Sequence, residues 1–298
     1  DLTDAEKYAP DNDNSDRTKM TKTVAQAMLA KVYAEKEVQD YDKVITYADK
    51  VIKTTGVELE DSYETLWGYD ETTKDCLKRN TKEGILEVHW TTGGGNWETW
   101  MYGRQLDNWD YYFTWAKWIT PSRDIINDFE KEGDEIRKNQ AIVYYACTWS
   151  NYYPASNYPF MYKLRSSYSN IYWIRLADII LMKAEAEAYK GNLDESAKLV
   201  NQIRKRAKLK ELTSDKTNSK EAMIEAVLHE RRLELAFEGE RWFDLCRNNK
   251  VEKYLNGIDN RDKGRIKQVK QFDSNSYLLP IPQTALDQNT NLKQNPGY

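Results

Sequence analysis

The sequence predicts a mainly α fold of tetratricopeptide-type helical hairpins, with a long, loop-rich aromatic insertion and minor β structure. Three observations carry this. Apolar residues recur at helical spacing in two pairs of segments, the two pairs align with each other without gaps, and the stretch between them is crowded with Trp and Tyr but lacks sustained periodicity. The 298 residues are 40% apolar, enough for a packed interior, and 31% charged. Lys+Arg 44 against Asp+Glu 48 leave a net charge of −4, which argues against a general nucleic-acid binder. The longest uncharged apolar run, Ala141 to Cys147, falls far short of the roughly 20 residues that span a bilayer.

Taken in order, residues 1–16 are polar and acidic and read as a loop. A helix runs from Thr23 to about Glu37 with Ala25, Met28, Leu29 and Val32 on one face. After Gln39-Asp40, Tyr41, Val44, Ile45, Ala48, Val51 and Ile52 stripe a second helix, so that 23–54 forms one hairpin. Ile174, Ala177, Leu181, Ala184 and Ala188 stripe a third; Gly191-Asn192 turns the chain, and Leu193, Ala197, Val200, Ile203 and Ala207 stripe a fourth. The second hairpin matches the first at an offset of 152, Leu181 on Leu29 and Asp194 on Asp42. One such unit cannot bury its apolar face alone, so the repeats must stack. A further helix is expected from Lys220 to about Asn248, giving 172–250 as second hairpin plus helix, followed by a polar tail, 251–298.

The insertion, 55–171, reads as mostly irregular. Ile85 to Thr92 alternates as a short strand, with Leu86, Val88 and Trp90 on one side. Thr120-Pro121 is expected to cap a helix with Ile125, Ile126 and Phe129 inward, ended by Gly133.

Motifs for catalysis are weak. Gly93-Gly94-Gly95 has no Gly-Lys-Ser/Thr after it, and His229-Glu230 lacks the second histidine of a metalloprotease helix. With two histidines, His89 and His229, and three scattered cysteines, no zinc or nucleophile signature forms, so no catalytic residue, metal or cofactor is assigned. The acidic stretch Asp11 to Asp16 starts like a calcium loop but lacks its central Gly and final Glu. Arg204 to Lys210 and Arg261 to Lys270 read as solvated basic faces. The run Arg231, Arg232, Glu234, Glu238, Glu240, Arg241, Asp244 and Arg247 reads as an ion-pair lattice at a helix end, with Trp242 and Phe243 buried beneath it.

The aromatics are the outstanding feature. Six of ten tryptophans lie between Trp90 and Trp118, and eight tyrosines between Tyr144 and Tyr172. A carbohydrate offers an apolar C–H face, on which flat rings stack, and a hydroxyl rim that Asn, Asp, Gln and Arg bond. The favoured glycan-contacting residues are Trp97, Trp100, Tyr102, Trp109 and Tyr111, with Asn96, Arg104 and Asn108 as polar rim. Trp149, Tyr152 and Tyr153 form a second-choice platform. Trp90 is read as core; Trp115 and Trp118 are read as packing on the helix after Thr120.

The segment Trp173-Ile-Arg-Leu-Ala-Asp-Ile-Ile-Leu-Met-Lys-Ala-Glu-Ala resembles the R-x-A-D helix of the SusD/RagB family. His229-Glu-Arg-Arg-Leu-Glu-Leu-Ala-Phe-Glu-Gly-Glu-Arg-Trp-Phe-Asp-Leu-Cys-Arg resembles its E-R-x-x-E…E-G-x-R-x-x-D stretch, and Tyr277-Leu-Leu-Pro-Ile-Pro with Gln294-Asn-Pro-Gly-Tyr resembles its ending. The resemblance implies a non-catalytic surface lipoprotein of Gram-negative Bacteroidota. Such proteins capture glycans, or peptides in RagB-like members, for a SusC-like, TonB-dependent outer-membrane transporter. It implies contact with the membrane only through an N-terminal lipid, and that this chain corresponds to the later part of a longer protein. A glycoside hydrolase is the competing class, and the family's variable glycan-contacting loops transfer no binding residue to this chain.

Overall fold

Helix α2 (Lys22–Ala34) is capped by Thr21, whose side chain accepts from the Val24 amide, and α3 (Tyr41–Ile52) by Asp40, which accepts from Lys43. The computed structural model describes residues 1–73, 75–90, 98, 119–147, 150–166, 168–265 and 267–298. A helix α1 (Leu2–Tyr8) precedes the hairpin, where the sequence suggested only loop. Tertiary contact explains it: the Glu6 carboxylate accepts from Lys50 at 2.6 Å and from Gln26 at 3.2 Å, pinning a short helix that would not persist alone.

The second hairpin is α7 (Leu176–Lys190) and α8 (Leu193–Arg206), turned by Gly191 at φ 86°. α3 packs on α7, and after the one-turn α9 (Ser214–Thr217) α10 (Lys220–Glu234) closes over α7 and α8. One apolar core therefore runs from Val24, Ala27, Ala48 and Val51 through Ile180, Leu181 and Ala184 to Val200, Met223 and Val227. α7 is covered on nearly every side, with alanines where helices approach closely, so it carries little amphipathic contrast.

Between the hairpins the chain holds more regular structure than expected. Short helices α4 (Tyr63–Trp67), capped by Ser62, and α6 (Glu135–Ala141), capped by Asp134, were not foreseen. Three two-stranded antiparallel ladders are present: β1 (Tyr69–Asp70) with β2 (Asp75–Cys76), β3 (Gly84–Val88) with β6 (Ile171–Arg175), and β4 (Ile142–Tyr145) with β5 (Tyr158–Met161). Helix α5 (Arg123–Glu132) is capped by Ser122 and not by Thr120. The Thr120 hydroxyl is engaged elsewhere, 3.0 Å from that of Tyr158. Ile125, Ile126 and Phe129 do face inward and Gly133 ends the helix at φ 68°.

The expected helix from Lys220 to Asn248 is two: α10 stops at Glu234 and α11 (Arg241–Arg247) starts afresh. Between them Phe237 (φ 66°) and Gly239 (φ 87°) take left-handed backbone. Beyond α11 lie α12 (Val251–Leu255), α13 (Ile258–Arg261) and α14 (Gln283–Gln288), the last with no buried residue.

Ion pairs hold these parts together, and they are buried. Arg175 donates to Glu234 at 2.6 Å, Glu83 at 2.8 Å and Glu238 at 2.6 Å. Arg137 reaches Glu230 at 2.6 Å and Glu234 at 3.1 Å, and Arg206 pairs with Glu83 and Glu234. Arg204 joins Glu230 at 3.0 Å, so Arg204 and Arg206 are not the solvated face their basic neighbourhood suggested. A second lattice joins Arg231 to Asp178 and Asp244, and Arg247 to Glu185 and Asp244, all at 2.7–2.9 Å. Burial alone would raise the Glu234 pKa, but the guanidiniums of Arg206, Arg175 and Arg137 outweigh it and hold the carboxyl well below its usual range. Phe243 is 55% exposed and Trp242 half-buried, so neither lies beneath the lattice as expected. Nor does Asp244 pair with Arg241, whose Nη1 donates instead to the Leu228 carbonyl at 3.2 Å.

Removing one partner from such a cluster strands the others without water. Glu234→Ala should cost about 3–5 kcal/mol of stability, read from urea unfolding; a loss under about 1 kcal/mol would count against the network's structural role. Stability should also fall with acid. Glu132 is held at about 2, against an ordinary 4.5, by its hydrogen bond from His229 and, against the effect of burial, by Arg204. Glu225 is likewise held at about 2: burial opposes the shift, and Lys250, Lys253 and Tyr254 overcome it. Because both folded values lie below the unfolded ones, this stabilisation is complete above about pH 4.5 and is lost as pH falls toward 2. Thermal melts across that window should show the decline.

Candidate functional site

Strand β6 alternates. Tyr172 and Ile174 point into the protein, and Trp173 between them stands 59% exposed. Tyr172 packs edge-on against Trp67 with ring centroids 5.1 Å apart, and its hydroxyl donates to the Leu66 carbonyl at 3.2 Å. Trp173 thus projects outward from a packed base.

It does so at the mouth of an open cavity of about 570 Å³. The apolar wall comes from Trp173, Phe243, Phe237, Ile119, Met161 and Leu164, and Trp67 and Tyr172 line it too. Glu98, Lys163, Glu238 and Glu240 supply the charges. Lys163 is 2% exposed, lies 4.8 Å over the Trp67 ring, pairs with Glu238 and donates to the Glu234 carbonyl at 3.2 Å. Burial pushes its amine down to about 8, against the opposing pull of Glu238. Glu238 is clamped between Lys163 and Arg175, while Glu240 accepts from Lys31 at 2.8 Å. The cavity's acidic rim is therefore an extension of the buried ion network.

The left-handed Phe237 belongs to the same arrangement. A non-glycine residue there costs about 1–2 kcal/mol. The clamp on Glu238 holds the next residue in place, and the Phe237 ring lines the cavity.

Trp97, Trp100, Tyr102, Trp109, Tyr111, Asn96, Arg104 and Asn108 all lie outside the described residues, as do Trp115, Trp118, Trp149 and the Gly93–Gly95 turn. Their chain neighbours are described. Trp90 is half-buried, with its carbonyl accepting from Arg79 at 3.0 Å, and Ile119 lines the cavity itself. Of the second-choice platform, Tyr152 is 37% exposed. Tyr153 has one face covered by the Arg123 guanidinium at 4.0 Å, and its hydroxyl donates to the Pro121 carbonyl at 2.7 Å. Tyr153 thus serves packing. Sequence reasoning missed Trp173, Phe243 and Lys163 as site residues; an outward Trp between two inward apolar residues in a strand was the available signal for the first.

Near the N-terminus, the Asp13 carboxylate accepts from Ser15 and from Lys19 at 2.7 Å, and Asp11 accepts from Lys22 at 2.8 Å, so these acids already have partners. No group of three His, Cys, Asp or Glu side chains among the described residues is placed to hold a metal ion. Among the same residues, no helix is long and apolar enough to cross a membrane.

Tyr153→Phe should lower stability by about 1 kcal/mol in urea titration, the worth of one hydrogen bond. An unchanged midpoint would contradict a packing role for the Tyr153 hydroxyl.

Comparison with known proteins identifies the family. The model of the SusD family matches residues 82–298, and the chain belongs to that family. SusD-like protein P2 of Formosa agariphila is 26% identical over an alignment that takes in 100% of this chain and 63% of that protein. The chain spans less than two thirds of the length of the curated relatives it matches. A SusD superfamily protein of Bacteroides vulgatus superposes with a TM-score of 0.75 at 24% identity, over 100% of this chain and 66% of that one. Surface glycan-binding protein A of Bacteroides thetaiotaomicron, solved in complex with laminarihexaose, does so at 0.74 and 17% identity, over 99% and 69%. These likenesses establish a mainly helical fold shared with SusD-like structures.

Proposed function

From membership of the SusD family we infer that this chain is the part of a non-catalytic capture protein that binds a neutral glycan. The protein delivers it to a SusC-like, TonB-dependent transporter. It is held at the outer-membrane surface by a lipid on a processed N-terminal cysteine. Residues 1–298 act as one unit, a reading supported by the core that both hairpins share.

The observation that carries the binding role is the open cavity presenting the Trp173 and Phe243 rings, lined also by Ile119, which follows the aromatic segment in the chain. Exposed rings stack on sugar C–H faces, and Glu98 and Glu240 at the rim can accept from hydroxyls. Neutral sugars fit best, because Lys163 is the one cation among the described lining residues and Glu238 already occupies it. Trp97, Trp100, Tyr102, Trp109 and Tyr111, with Asn96, Arg104 and Asn108, supply the remaining contacts in this reading. The surface glycan-binding protein solved with laminarihexaose supports the ligand class.

Calorimetric titration with a glycan panel that includes laminarihexaose tests this. Trp173→Ala and Phe243→Ala should each weaken the best neutral ligand by about 2 kcal/mol, roughly thirtyfold, with melting temperatures near the parent's. Parent-like binding by both variants would remove this cavity from the site. Release of new reducing ends would favour a hydrolase, and binding of peptides alone the RagB-like reading.

A further inference from the structure

Phe237 and Gly239 also line a second cavity, of about 390 Å³, formed with the start of α5, with α11 and with α12. Its apolar surface comes from Leu235, Trp242, Leu255 and Ile258, with the Tyr254 ring beside them.

The charges here are of the opposite sign to those of the first cavity. Arg231, Arg232, Arg241 and Arg265 line it against Asp124 and Asp244. Both acids are spent. Asp244 accepts from Arg231 and Arg247, and Asp124 accepts from Arg232 at 2.8 Å and Arg261 at 3.2 Å. Arg232 is further satisfied by Asp128. That leaves Arg241 and Arg265, with no carboxylate of the described residues in ion-pair reach of either. Arg241 has only the Leu228 carbonyl and the face of Tyr254, 4.7 Å from its guanidinium. A half-buried guanidinium facing an apolar wall without a counter-ion is costly unless an anion completes it. Burial and then Arg232 push its pKa down to about 10, against the opposing pull of Asp244, Tyr254 and Asp128, none of them within ion-pair distance.

We propose that this cavity is a second binding site, for a small organic carboxylate with an aromatic or alicyclic body. The carboxylate meets the Arg241 and Arg265 guanidiniums, and the ring lies against Trp242, Leu235 and Ile258. Thr120, Ser122 and Tyr254 carry the lining hydroxyls; that of Ser122 is engaged in capping α5 and that of Tyr254 donates to Glu225, so a polyhydroxylated ring finds few partners while an apolar one is covered. The volume lies within the range of small-molecule sites. The site does not depend on the glycan reading, since the residues that would hold the anion are absent from the first cavity.

Benzoate, with benzamide as its uncharged isostere, probes the proposal by calorimetry on the 298-residue chain. Benzoate should bind with a Kd of about 1 mM or tighter, and benzamide about tenfold more weakly or worse. Arg265→Gln, at an exposed position, should keep the parent's melting temperature, lose about tenfold in benzoate affinity and leave laminarihexaose titration unchanged. Arg241→Gln should lose at least as much. The proposal is overturned if benzoate and benzamide bind alike, if no benzoate heat develops by about 10 mM, if Arg265→Gln binds benzoate like the parent, or if a bound glycan excludes benzoate.

Discussion

A single carboxylate, that of Glu234, ties the fold to its cavities. With no solvent access it receives guanidiniums from α6 (Arg137), β6 (Arg175) and α8 (Arg206), while its own backbone carbonyl accepts from Arg175, Lys163 and Tyr63. Desolvating so many charges is costly, and only near-complete mutual pairing makes the arrangement tolerable. Here Arg137, Arg175, Arg204, Arg206 and Lys163 meet Glu83, Asp134, Glu230, Glu234 and Glu238. An apolar core of similar volume could be as stable. What ionic pairing adds is direction, because each guanidinium fork accepts only a narrow range of partner positions.

That direction is spent on the Leu235–Glu240 segment. α10 ends because the chain must bring Glu238 back under Arg175 and Lys163, and the left-handed Phe237 and Gly239 make the reversal. The same reversal divides the space beside α10 and α11 into two cavities that share Phe237 and Gly239. One has an acidic rim, the other surplus guanidinium. Their opposite character follows from which side of one short segment each lies on.

The helical hairpins were legible in the sequence because their stripes report burial directly; α2, α3, α7 and α8 start and stop within a few residues of expectation. α1, α4 and α6 were not, since five to seven residues carry too little periodicity and depend on tertiary anchors such as Glu6 with Lys50. The charged run from Arg231 to Arg247 was visible as a lattice, but its depth was not. A sequence that is 31% charged gives no local sign of which charges meet partners from 50 or more residues away, as Arg231 does with Asp178. Two of the three stretches that carried the family resemblance meet in this network: Arg175 and Asp178 in one, Glu230, Arg231, Glu234, Glu238, Asp244 and Arg247 in the other. The aromatic segment advertised itself through composition. Trp173 and Phe243 did not, because each sits within an element whose other apolar residues are buried or half-buried.

Two groups stand apart among the described aromatics. Tyr63, Tyr153, Tyr158 and Tyr172 have hydroxyl partners and packed rings, so their role is complete within the chain. Trp173 and Phe243 remain more than half exposed while lining the open cavity. Leaving a large apolar side chain in water forgoes about 1.5–3 kcal/mol that burial would return. A chain that buries Arg175 and Glu234 at its centre has no shortage of means to cover two rings. Covering them would return that free energy, and the alternation of β6, with Tyr172 packed on Trp67, keeps Trp173 turned outward.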